Sequence, residues 1–262
     1  MEQYIHSYKC NTPCFTKYNN LAIIHLPDHM ANFKEVFRNP RVILPVIHTE
    51  TPSQAIVNAM MAEKLGCDGV FLIDMRGRGH LNLFSIYKAV RAKMPDFWIG
   101  VNCLDLYPAA AFDKLPSGIN GYWADNGGVY DYGSTEAAVI KKAREESGWD
   151  GLYFGGTAFK YQNSVKDVAM AAKVAAWYMD VVTTSGEGTG FAPNTEKIIK
   201  MKQAIADFPL AIASGMSPDN IQDYLEYSDC FIVASSLLLP DGNFFDPLKL
   251  ESFVSKVRKF KP

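Results

Sequence analysis

The sequence predicts an α/β protein: a closed (β/α)8 TIM barrel with an amino-terminal extension of about 40 residues. Three observations predict it. Strand-like apolar runs alternate with amphipathic stretches eight times between residues 41 and 262. The runs are rich in Val, Ile and Phe and alternate little, as in a parallel sheet covered on both faces. The eight units fall within about 220 of the 262 residues, which matches a closed barrel of usual size about 250. The competing architecture, a doubly wound open sheet, would carry Gly-x-Gly-x-x-Gly directly after its first strand. That motif is missing there. The glycine-rich run Gly186-Glu187-Gly188-Thr189-Gly190 follows the sixth strand and has a different spacing.

In order, the expected strands are Val42–His48, Gly69–Asp74, Phe97–Leu104, Gly118–Ala124, Gly151–Phe159, Asp180–Thr184, Leu210–Ala213 and Cys230–Ala234. The expected helices are Pro52–Leu65, Leu81–Lys93, Ala109–Leu115, Thr135–Glu146, Lys166–Met179, Thr195–Ile205, Pro218–Tyr227 and Pro247–Phe260. Ser217-Pro218 is helix-start chemistry, a hydroxyl cap followed by Pro at the first helical position. Residues 1–40 do not share this rhythm. They read as an extension packed on the barrel, with a short strand at Leu21–Leu26 and a short helix at Met30–Arg38. Residues 41–262 form the barrel domain.

Composition narrows the function classes. The chain is 48% apolar and 21% charged, with net charge −2 and no Lys/Arg-rich block. That balance suits a soluble globular protein and disfavours a nucleic-acid surface. No apolar run approaches about 18 residues, so no membrane span is expected. The first residues lack a signal peptide's apolar core. Five scattered cysteines fit a reducing compartment, and a cytoplasmic protein is expected. Cys10 and Cys14 stand without a second pair at ligand spacing, and Pro27 separates His25 from His29. No metal is assigned from either pair.

In a barrel of this kind the chemistry lies at the carboxyl ends of the strands. Those ends carry His48 and Glu50, then Asp74 and Arg76, Asn102 and Asp105, Asp125 and Asn126, Lys160 and Gln162, and finally Thr184, Ser185 and Glu187. From these, His48, Asp74, Asn102, Asp125, Lys160 and Glu187 are the candidate catalytic residues. A histidine suits proton transfer near neutral pH. A lysine there stabilises an oxyanion or forms an imine. Strands seven and eight end in small residues instead. Ser185, Gly186, Ser214, Gly215, Ser235 and Ser236 are the candidate phosphate cradle, with backbone N–H groups facing an anion. Two glycine-bearing loops read as lids over the mouth: 126–134, with Tyr130 and Tyr132, and 186–193, with Phe191.

Several stretches resemble the BtpA/SgcQ family of barrel proteins: MDVVTTSGEGTG, PLAIASGMSPDNI, SDCFIVASSLL and DGNFFDP. Upstream, VILPVIHT, GCDGVFLID and IGVNCL resemble that family's first three strands. The resemblance implies a phosphate-binding TIM barrel and places His48, Asn102, Asp131, Gly133 and Lys160 on the family's motifs. The chain departs at HTETPSQ, at Asp74-Met75, at Ala234-Ser235 and at Leu238, which marks it as a divergent member.

The reading that fits these residues is an isomerase or lyase acting on a small phosphorylated metabolite, a sugar phosphate or a nucleotide. Its acid/base groups would be His48 and Glu187. No cofactor is required. The alternatives are an FMN-dependent oxidoreductase, with the flavin phosphate in the same cradle, and a non-catalytic assembly or sensor protein that binds a phosphometabolite. A homo-oligomer is expected from the fold. Purification separates the flavin alternative directly: a yellow protein supports it and a colourless one opposes it.

Overall fold

The computed structural model describes residues 32–131, 133–162 and 165–261. The extension strand Leu21–Leu26, the pairs Cys10/Cys14 and His25/His29, and Tyr132 lie outside the described residues.

Eight parallel strands close into one barrel in sequence order. They are β1 (Val42–His48), β2 (Val70–Ile73), β3 (Ile99–Asn102), β4 (Gly121–Ala124), β5 (Leu152–Gly156), β6 (Val181–Thr184), β7 (Leu210–Ala213) and β8 (Cys230–Val233). The ring closes where Val42 pairs with Cys230 and Pro45 with Val233. The α-helices are α1 (Phe33–Val36), α2 (Pro52–Lys64), α3 (His80–Lys93), α4 (Pro108–Ala111), α5 (Thr135–Ser147), α6 (Val168–Ala175), α7 (Thr195–Ile205) and α8 (Pro247–Lys259). The strands are mostly shorter than the apolar runs, because each run continues into the polar turn or the cap beyond the ladder.

One expected helix is corrected. Pro218–Tyr227 contains only the 3₁₀ turn Ile221–Asp223. Asn220 is the cause. Its side-chain oxygen accepts from the Ser217 N–H at 2.8 Å, and its amide donates to the Gly215 carbonyl at 2.8 Å. A side chain that bonds the local backbone competes with the helix ladder. Two further 3₁₀ turns among the described residues are Phe112–Lys114, after α4, and Ser235–Leu237, after β8.

Two apolar layers result. One lies between the sheet and the helices, and the other fills the barrel. Inside, the Phe71 ring meets Trp98, Trp123 and Phe154 edge-on at 5.3, 5.7 and 5.2 Å. Glycine makes room for these rings. A Cβ at Gly100 would overlap Phe71, and one at Gly121 would overlap Trp98. Phe33 and Phe37 of the α1 segment join this inner cluster, with Phe37 5.2 Å from Trp98.

The amino-terminal rim repeats one contact four times. Just before each even strand stands Asp68, Asn120, Asp180 or Asp229. Each accepts the N–H of a residue in the preceding odd strand: Ile43 at 2.7 Å, Ile99 at 2.9 Å, Tyr153 at 2.7 Å and Leu210 at 2.9 Å. Each also holds a basic side chain, from the last helix α8 for Asp68 and from the helix that leads into the odd strand (α3, α5 or α7) for the other three. The pairs are Arg258–Asp68 at 2.7 Å, Arg91–Asn120 at 2.5 Å, Arg144–Asp180 at 2.6 Å and Lys202–Asp229 at 2.6 Å. The rim thus ties strand, neighbouring strand and helix in four successive quarters. Of the ion pairs, Arg144–Asp180 is the most deeply buried.

Removing one member of a buried pair leaves an uncompensated charge. Asp180→Ala is therefore expected to cost about 3–5 kcal/mol in urea unfolding. A loss below about 1 kcal/mol, as for a surface pair, would contradict this role.

Candidate active site

The carboxyl-terminal mouth divides into a polar cluster and a set of tied turns. Alternation along the strands decides the cluster. Val42, Leu44 and Val46 face the inner core, so His48 continues their row. Trp123 faces inward, and Asp125 is next in its row. Asn102 follows Trp98 and Gly100 in the same sense. Asn102 donates its amide N–H to Asp125 Oδ1 at 2.9 Å. Burial raises the Asp125 carboxyl above its ordinary range, against the lowering effects of Asn102 and the Lys160 charge. Burial lowers His48; Glu50 opposes that shift and Lys160 adds to it. Lys160 therefore acts on both groups. The structure brings together His48, Asn102, Asp125 and Lys160 above a floor that includes Trp123 and Phe159, whose rings are 6.2 Å apart.

Asp74 does something else. Ile73 faces the inner core, and the Asp74 carboxylate turns to its own loop. It accepts from the N–H groups of Arg76 at 3.0 Å and Gly79 at 2.9 Å, and from Arg78 at 3.2 Å. Burial alone would raise its pKa, but these bonds outweigh burial and lower it. Arg78 also donates to the carbonyls of Thr49 and Glu50. Asp74 is thus an organiser of the β2 loop. A cavity of about 30 Å³ lies beside that loop, lined by Asp74, Gly79, Leu83, Asn102, Cys103 and Asp105. It is the size of a water molecule and too small for a substrate. Glu187 is exposed, and its charge acts on Lys197 of α7.

The glycines expected to admit an anion serve the fold first. Gly186 is buried, and a Cβ there would overlap the main chain of Phe191 and Ala192. The same main chain lies against Gly215. The loop after β6 therefore crosses over the turn after β7. Gly156 makes room for the Asp125 carbonyl, and Gly155 for the Met179 side chain. Ser214, in a left-handed conformation at φ +91°, accepts the Gly190 N–H at 3.0 Å. Ser236 Oγ donates to the Met216 carbonyl at 2.5 Å, tying turn eight to turn seven. Ser185 Oγ accepts the Lys160 N–H at 2.8 Å. Within the described residues, no protein group accepts the N–H of Gly215, Met216, Ser235 or Ser236. Gly215, Ser235 and Ser236 are partly or fully exposed.

Of the two expected lids, 126–134 is bonded to the barrel wall. Asn126 donates to Tyr130 Oη at 2.6 Å, Tyr130 donates to Glu136 at 2.7 Å, and Asp131 accepts the Lys166 N–H at 2.8 Å. The other, 186–193, is held at its tip. Thr189 Oγ1 accepts from Lys160 Nζ at 3.3 Å and lies 3.2 Å from Tyr161 Oη.

One site residue escaped the sequence reading. Lys197 Nζ donates to the carbonyls of Ala158 at 2.5 Å and Ser185 at 2.7 Å. Burial lowers its pKa to about 8, with Glu187 opposing the shift. A signal was present: Lys197 is the third residue of α7, and a cation is disfavoured in the first turn of a helix. Among the described residues, no group of three or more His, Cys, Asp or Glu side chains is placed to hold a metal. None of their helices is long and apolar enough to cross a membrane.

The electrostatics of the cluster have a definite sign. Lys160 lowers both His48 and Asp125. Lys160→Met is expected to raise both pKa values, as read by NMR titration of the imidazole and the carboxyl. If neither moves, Lys160 does not face them.

The BtpA family model matches residues 157–259. No curated protein matches the chain in sequence. Solved structures share the fold at low identity. One is titled a native KDPGal structure, at 15% identity and TM-score 0.59, covering 83% of this chain and 94% of that one. A second is (S)-3-O-geranylgeranylglyceryl phosphate synthase from Thermoplasma acidophilum, in complex with sn-glycerol-1-phosphate. It stands at 12% identity and TM-score 0.62, covering 88% and 100%. A third is phosphoribosyl anthranilate isomerase from Thermus thermophilus, at 14% and 0.60, covering 84% and 100%. The chain is a (β/α)8 barrel whose residues 157–259 are similar to the BtpA family.

Proposed function

We propose that the chain is an enzyme of the isomerase or lyase type acting on a small phosphorylated metabolite, a sugar phosphate or nucleotide. One observation carries the reading. A cluster of His48, Asn102, Asp125 and Lys160 occupies the same mouth as the unaccepted N–H groups of turns seven and eight. The phosphate would lie on the amides of Gly215, Met216, Ser235 and Ser236, where a short extra helical turn commonly completes such a site. Binding energy from the phosphate is then available to the transition state. Two fold neighbours carry a phosphate group in their names, which agrees with this reading.

The chemistry follows from the charges. Asp125, raised by burial above the ordinary carboxylate range, is the group suited to taking or returning a proton. Asn102 orients it. His48, lowered by burial, is neutral there and serves as its partner. The Lys160 ammonium faces the oxyanion that develops when a proton leaves the carbon beside a carbonyl. Glu187, exposed on the loop, has no part in this step.

A thermal-shift panel tests the substrate class. Phosphorylated sugars and nucleotides are expected to raise Tm, by about 2.7 kcal/mol of stabilisation at one hundred times Kd. Stabilisation by the dephosphorylated analogues alone would defeat the reading. Once a substrate is known, Asp125→Asn should lower turnover by about 10²–10⁴ with binding retained. Binding with no turnover of any phosphate ester would favour the sensor protein instead.

A further inference from the structure

We propose that Lys197 is a positioning residue of this mouth: its ammonium, reaching in from α7, ties the end of β5 to the end of β6, which sets Lys160 in place and roots the loop 186–193. The catalytic meaning of this tie rests on the function proposed above. The tie itself stands on four contacts. Ala158 has φ +48°, a left-handed conformation that costs energy for a residue with a Cβ. Such a residue persists only where its surroundings hold it. Its carbonyl takes two donors, Lys197 Nζ at 2.5 Å and Thr184 Oγ1 at 3.1 Å. The same ammonium donates to the Ser185 carbonyl at 2.7 Å. Ser185 in turn accepts the Lys160 N–H through its hydroxyl at 2.8 Å. Lys197 thus holds the backbone at Ala158, two residues before Lys160, and at Ser185, whose hydroxyl accepts the Lys160 N–H.

The loop 186–193 begins at this tie. Its tip rests on Lys160 and Tyr161 through Thr189, and on Ser214 through the Gly190 N–H. The Gly190 N–H therefore reports on whether the loop is seated, and the Lys160 N–H on whether the tie through Ser185 holds. Among the described residues, the charge acting on Lys197 is that of Glu187, which lies in the same loop and favours the ammonium. A plain structural lysine would steady the whole barrel. A positioning lysine acts on this corner and leaves the strands alone.

Hydrogen–deuterium exchange on the full chain, without ligand, separates the two. The reporters are the Lys160 and Gly190 amides, corrected for intrinsic exchange, with the β6 strand amides as reference. Lys197→Met is expected to lower protection at both reporters about tenfold, the scale of one charge-assisted hydrogen bond, with β6 unchanged. Lys197→Arg is expected to restore it. Equal protection in the wild type and the Met variant, or a loss spread evenly over the strands, overturns the proposal. Should the Met variant fail to fold, the wild type decides. Lys197 gives up its proton near pH 8, so reporter protection should fall as pH rises through that value while β6 holds, and a flat profile overturns the proposal. Titration with inorganic phosphate is kept as a separate arm. Failure to bind phosphate counts against the substrate reading, and the exchange result still decides the role of Lys197.

Discussion

Closure of the eight-stranded sheet is the constraint from which the rest follows. A closed barrel has no free edge, and every second residue of each strand must face the inside. Here the inside is filled by Phe71, Trp98, Trp123 and Phe154. Polar groups on the inner rows can then face inward only above these rings. His48, Asn102 and Asp125 are the next inward positions on three strands, and their chemistry comes from that placement. The same packing that excludes water from the barrel raises the Asp125 carboxyl and lowers His48.

The two ends of the barrel divide the labour. At the amino-terminal rim, four acceptors and four basic side chains form a repeated tie between helix and strand pair. These contacts hold helix to strand, although the buried Arg144 Nε takes no partner among the described residues. At the carboxyl-terminal rim, Ser214 at φ +91° precedes Gly215, whose N–H no protein group among the described residues accepts. At this mouth the open backbone donors are within reach of a ligand.

Much of this was legible in the sequence. The alternation of Val/Ile/Phe runs with amphipathic stretches shows eight units, and the polar residue after each run marks the mouth. Four things were not legible. Asp74 and Asp125 look alike in sequence, but counting from the inner rows turns one to its own loop and the other to the centre, and that count requires the register. Gly186 and Gly215 read as openings for an anion. They make space for Phe191 and Ala192, because the loop after β6 folds back, and no local pattern announces a long-range approach. Lys197 reads as one more solvated helix charge unless its place in the first turn of α7 is weighed against the helix dipole. Helix propensity over Pro218–Tyr227 failed for a similar reason, since one Asn220 side chain took over the local bonding.

The central claim is that an anion binds on the amides of turns seven and eight, within the mouth that holds Asp125, His48 and Lys160. An amide NMR titration of the full chain with a sugar phosphate addresses it directly. Saturable shifts are expected, concentrated at Gly215, Met216, Ser235 and Ser236, with smaller ones at Lys160. Saturable shifts at the amino-terminal rim, or none at these four amides at concentrations that shift other residues, would contradict it.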